Sequence, residues 1–153
     1  MRDQFLAALL MISPALGDEW QRYENTAYGY SIDIPPGLIW RGESYEGDGQ
    51  DFTTPTLTLS LQGKRMPDGF EAAIRDWREW ETRMGWTFTY GMTTPSAAAA
   101  SGKRPNWLLE MRAISICNDT LAIMQLEYGI GDAGRMNKTI ERLASSFKAT
   151  RRC

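Results

Sequence analysis

The chain has 153 residues, 42% of them apolar, with 17 basic and 19 acidic side chains and a formal net charge of −2. A chain this long buries roughly two-thirds of its unfolded surface, which suits one folded domain and excludes a disordered one. No basic stripe runs along it, which argues against nucleic acid as a partner. Histidine is absent, which removes the commonest general base, the Ser-His and Cys-His nucleophile pairs and the usual zinc or haem ligand.

Met1-Arg2-Asp3-Gln4 precede an apolar stretch from Phe5 to Leu16. That stretch is too short to span a bilayer, which takes about 20 residues, and it matches the apolar region of a secretory signal peptide. Ala15 and Gly17 supply the small residues a signal peptidase reads. Residues 1–17 are therefore expected to be a leader cleaved before Asp18, and 18–153 a single exported domain, periplasmic or secreted, with no membrane span. Because Asp3 offsets Arg2, the other reading is a short helix packed on the domain.

Arg22 to Ile34 reads as strand, turn and strand, with Tyr28, Tyr30, Ile32 and Ile34 alternating until Pro35-Pro36-Gly37 stops the ladder. A glycine-punctuated acidic loop follows over 42–51. Leu57, Leu59 and Leu61 then alternate with Thr58 and Ser60, which predicts a strand over 56–61. Asp68 is placed to cap a helix, with Glu71 at the reciprocal capping position, and Gly85 suits its left-handed stop. Phe70, Ala73, Ile74, Trp77 and Met84 recur at helical spacing between them. Trp86, Phe88 and Tyr90 restart the two-residue period. The small-residue run 96–101 is read as a short strand or loop. Two long strands, 107–117 and 121–128, are joined by a tight turn at Asn118-Asp119. Asp132 is expected to cap a last helix whose Met136, Ile140, Leu143, Ala144 and Phe147 share a face.

Tyr23-Glu24-Asn25 and the run Tyr28-Gly29-Tyr30-Ser31-Ile32-Asp33-Ile34-Pro35 resemble the first hairpin of PsbP-like domains. Asp48-Gly49-Gln50-Asp51-Phe52 is similar to their turn into the next strand. Ser101-Gly102, the strand end at Tyr128 and the final Ala144-Ser145-Ser146-Phe147 extend the resemblance over about residues 22–148. Departures are Ile34, where an aromatic is common, and Tyr128-Gly129, where Tyr-Pro is usual. The resemblance implies an α+β fold, a central antiparallel sheet with helices packed on both faces. It also implies a bacterial exported branch of a family that includes photosystem II extrinsic subunits and a GTPase-binding regulator. It implies no reaction and no cofactor; its theme is binding another protein, a weak warrant by fold alone.

Glu43, Glu46, Asp48 and Asp51 offer the oxygen ligands calcium takes, but their spacing departs from the EF-hand pattern, and the plainer reading is a solvated turn. A small-ligand or calcium carrier using loop 43–51 is the alternative function. Glu110 and Glu127 are the suspects for a third, a carboxylate-based hydrolase, with Arg112 on the same strand face as Glu110. Trp77 belongs to the apolar stripe of its helix. Trp80, at the stripe's edge, and Trp40 with Tyr45, flanking the acidic loop, are candidates for a partner surface. Cys117 and Cys153 show neither a CxxC nor metal-ligand spacing. They either bond, tying the tail to the domain, or leave Cys153 free, and sequence alone does not choose.

Overall fold

The computed structural model describes residues 19–43 and 48–153, so the leader 1–17, its cleavage point before Asp18, and Tyr45 and Glu46 lie outside the described residues. The strands are β1 (Gln21–Asn25), β2 (Tyr30–Ile34), β3 (Ile39–Glu43), β4 (Gly49–Thr54) and β5 (Leu57–Arg65). After helix α1 (Phe70–Arg83) come β6 (Thr87–Thr93), β7 (Ala97–Arg104), β8 (Trp107–Ile116) and β9 (Thr120–Gly129). A 3-10 turn (Ile130–Arg135), helix α2 (Asn137–Ser146) and β10 (Lys148–Ala149) close the described chain.

Seven strands form one antiparallel sheet in the order β3-β4-β5-β9-β8-β7-β6, and β1-β2-β10 form a second. This corrects the expected fold class. The chain is mostly β, and the main sheet does not carry helices on both faces. One face is covered by a layer built from the small sheet, with α2 running on beside β2, where Ser146 Oγ accepts from the Asp33 N–H at 3.0 Å. The physical reason is the hairpin itself. Tyr30, Ile32 and Ile34 bury one side of β2 against Leu59, Leu61, Met124 and Leu126, and so occupy the ground a helix would need.

The opposite face is covered by α1. Phe70, Ile74 and Trp77 pack there on Ala98, Ala100, Met111 and Ile123. Strand β9 lies mid-sheet and therefore feeds both cores, Ala122, Met124 and Leu126 on one side and Leu121 and Ile123 on the other. Such a strand reads as a continuous apolar run rather than an alternation.

Local expectations hold in part. Asp68 does not cap α1: Gly69, at φ 92°, takes the N-cap, with no side-chain cap bond. Gly85, at φ 97°, does end the helix left-handed. Asp132 lies inside the 3-10 turn, paired with Arg135, and α2 starts later, after Met136. The run 96–101 belongs to a full strand, β7, whose alanines are small enough to pass beneath α1. In β6 a bulge between Phe88 and Tyr90 breaks the alternation, so Phe88 packs toward α1 while Tyr90 stays exposed.

Candidate functional site

The aromatic candidates separate by burial. Trp77 is core, its Nε1–H donating to Gln125 Oε1 at 3.0 Å. Trp80, one helical step on, is 53% exposed, and Met84 on the next turn is 47% exposed. The Arg83 guanidinium sits 5.7 Å from the Trp80 ring centre. Trp40 is half-buried against the core of the first face, and its buried Nε1–H has no hydrogen-bond partner among the described residues. Trp40, on β3 of the main sheet, packs against the core of one face and Trp80 lies on α1 over the other, so they do not form one surface.

In the acidic loop, the Asp48 carbonyl accepts from Gly63 N–H at 2.6 Å and from the Tyr30 hydroxyl at 3.1 Å. The backbone there fixes the β4–β5 entry. Burial, then the neighbouring Tyr23, pushes the Tyr30 phenol far above its ordinary range. A shallow hollow of about 270 Å³ opens beside Asp48 and Asp51, and Trp40 is not among its described lining residues. Among the described residues no three His, Cys, Asp or Glu side chains come together as metal ligands.

Glu110 and Glu127 lie on opposite faces of the sheet. Leu109 pairs with Glu127 and Glu110 with Leu126, so one carboxylate projects toward the α1 side and the other away from it. They cannot flank one glycosidic bond. Glu110 accepts from Ser101 Oγ at 2.8 Å and from Arg112 at 3.3 Å. Glu127 joins a polar network beneath α1, accepting from Arg104 at 3.5 Å and from Gln125 Nε2 at 3.4 Å. Sequence reasoning missed Glu81, the buried α1 residue of that network. Burial raises its carboxyl pKa, a side-chain bond with Gln125 opposes this, and the Glu127 charge adds to it.

Cys117 and Cys153 are bonded, with their Cα atoms 5.3 Å apart. Cys117 stands at φ 55° and Asn118 at φ 61°, so the β8–β9 turn takes in Cys117 as well as the expected Asn118-Asp119. The tail returns along the small sheet, where Thr150 N–H donates to Gly29 O at 2.8 Å and Arg151 to Ala27 O at 2.7 Å.

That return assembles a cleft of about 470 Å³ on the outer side of the small sheet. Arg22, Ser31, Asp33, Arg142 and Lys148 line it, with Ser145 and Ser146 as its wall. In the sequence Lys148 stands only as one of the few cations near the C-terminus, with Arg151 and Arg152. The available signal was Arg22 facing Asp33 across the hairpin, a register legible once its turn is set.

No family model matches the chain, and neither does any curated protein. Among solved structures it is similar to cyanobacterial PsbP (CyanoP) from Synechocystis sp. PCC 6803. The match covers 88% of this chain and 95% of that one, at a TM-score of 0.67 and 13% identity. It is also similar to LpqN, involved in cell envelope biogenesis of Mycobacterium tuberculosis, over 87% of this chain and 91% of that one, at a TM-score of 0.57 and 12% identity. The resemblance carried by the motifs is thereby borne out: the chain has the PsbP-like fold.

Proposed function

We propose that the protein is exported and acts as a non-enzymatic accessory protein that binds another protein through the outer side of α1. The observation that carries this reading is the exposed pair Trp80 and Met84, the second at the C-cap one turn on, at the end of a helix that already buries Phe70, Ile74 and Trp77. The core does not need them, and tryptophan and methionine are enriched where partners bind. Export is supported by the leader pattern of 1–17 and by a disulfide, which persists in oxidising compartments. A non-enzymatic role is supported by the absence of histidine from the sequence and by the separation of Glu110 from Glu127.

The test is affinity capture from the native envelope fraction with the wild-type protein and with Trp80→Ala/Met84→Ala. A reproducible partner lost in the variant supports the reading. A partner retained in full by the variant places docking elsewhere, and no reproducible partner counts against a protein-binding role.

A further inference from the structure

The outer side of the small sheet carries charge in a specific arrangement. On β1 and β2, Arg22 stands opposite Asp33 and Glu24 opposite Ser31, while β10 sets Lys148 beside Ser31 from the other edge. Helix α2 closes the cleft with Arg142. The lining thus holds three cations and one carboxylate, drawn from four elements that the fold alone brings together.

Little of that positive charge is spent. Arg142 gives its Nε to Asp33 at 3.2 Å, and its two terminal nitrogens have no hydrogen-bond partner among the described residues. The Trp20 ring, 4.5 Å from the guanidinium carbon, holds the group in place. Arg22 lies 3.7 Å from Glu24, and with both side chains about half exposed this pair is worth little. Lys148 makes no ion pair among the described residues. At the floor Ser31, only 1% exposed, accepts from Arg22 at 3.4 Å, and its own proton has no acceptor among the described residues. Ser145 and Ser146 donate to the carbonyls of Arg142 and Leu143. They thereby blunt the negative end of the α2 dipole, which together with the Asp33 and Glu24 carboxylates opposes an anion.

We propose that this cleft binds the phosphate of a small phosphorylated molecule, a role independent of protein docking on α1. Two arginines, a lysine and a buried hydroxyl converge there on a space larger than phosphate itself. The cations outnumber the carboxylates there even with Glu24 counted beside Arg22, and arginine forks suit phosphate oxygens. The polar walls suit a hydroxylated remainder, with Asp33 able to accept from it. A soluble phosphate ester and a lipid headgroup share this chemistry.

The purified, disulfide-bonded protein is titrated calorimetrically with glucose 6-phosphate, inorganic phosphate and glucose. It is also sedimented with phosphatidylcholine vesicles with and without phosphatidic acid. Binding of glucose 6-phosphate but not glucose assigns a soluble ester; binding only to phosphatidic acid vesicles assigns a headgroup. In either case Lys148→Gln and Arg22→Gln should each weaken binding about tenfold, the loss expected for one charge-assisted hydrogen bond. Arg152→Gln, on the exposed tail, should change nothing, and melting temperatures should be unaltered in all three. The proposal is overturned if no phosphate probe binds, if Lys148→Gln and Arg22→Gln bind like wild type, or if Arg152→Gln loses as much. An acidic peptide binding where the esters do not would also overturn it.

Discussion

Replacing both Cys117 and Cys153 with serine opens a loop that spans a sequence separation of 36 residues. In the chain-entropy model, closing a loop of that size restricts the unfolded ensemble by about 4 kcal/mol at 25 °C. For a domain of this size, that lowers the melting temperature by roughly 10–15 °C. The folded state contributes little more. Lys148 and Ala149 are exposed, Cys117 is only half-buried, and the turn before the tail is anchored by Leu143 and Phe147 rather than by sulfur. Thermal unfolding followed by circular dichroism, on the double variant and on wild type with and without reductant, measures the loss. A drop below about 3 °C would refute the reasoning, because the unfolded chain would then not be the state the bond restrains. Two free thiols by intact mass in the protein from its native compartment would do so as well.

The other expectations follow from single side chains. Burial raises the Glu81 pKa above its unfolded value, so the folded state binds more protons than the unfolded one and stability falls as pH rises through the carboxylate range. Glu81→Gln should therefore raise the melting temperature at pH 7 and flatten its fall from about pH 4 upward, and parallel wild-type and variant profiles would contradict this. A Cβ at Gly49 would sit 1.6 Å from the Leu61 carbonyl oxygen. Gly49→Ala should cost about 3 kcal/mol in denaturant unfolding, as overpacking against backbone does. Leu143→Ala, at a fully buried position on α2, should cost about 3 kcal/mol. Trp80→Ala should move stability by less than about 0.5 kcal/mol, so that any lost partner reports docking rather than unfolding.

What the sequence showed depended on how local the determining contact was. Leu57, Leu59 and Leu61 face one core, so their alternation survives into β5. The stripe of α1 is legible at Phe70, Ile74 and Trp77, but Met84, counted in the same stripe, is exposed. Strand β7 was half-seen, because a run of alanines favours helix until a helix is known to lie above it. Strand β3 was missed: Ile39-Trp40-Arg41-Gly42 alternates too briefly before glycine and the acidic loop. The layer arrangement lay further out of reach. Whether the first hairpin extends the main sheet or lies over it is settled by the packing of Tyr30, Ile32 and Ile34 on Leu59, Leu61, Met124 and Leu126, and β10 joins β2 only from near the C-terminus. The cleft has the same origin, since Arg22 and Lys148 meet only through that pairing.

The disulfide and the cleft share one tail, which raises the question of whether the bond serves stability or the site. Local anchoring decides it. Lys148 follows directly on buried Phe147 and pairs with Ser31 across the ladder, whereas Cys153 lies beyond the bonds of Thr150 and Arg151 to the hairpin turn. Loss of the bond frees the last residues first and leaves the cleft wall held by core packing. The serine double variant should therefore melt earlier yet bind the phosphate probe within about threefold of wild type, less than the tenfold lost with one cation. If instead its affinity falls as far as that of Lys148→Gln, the tail beyond Ala149 holds the cleft in shape and the two roles are one.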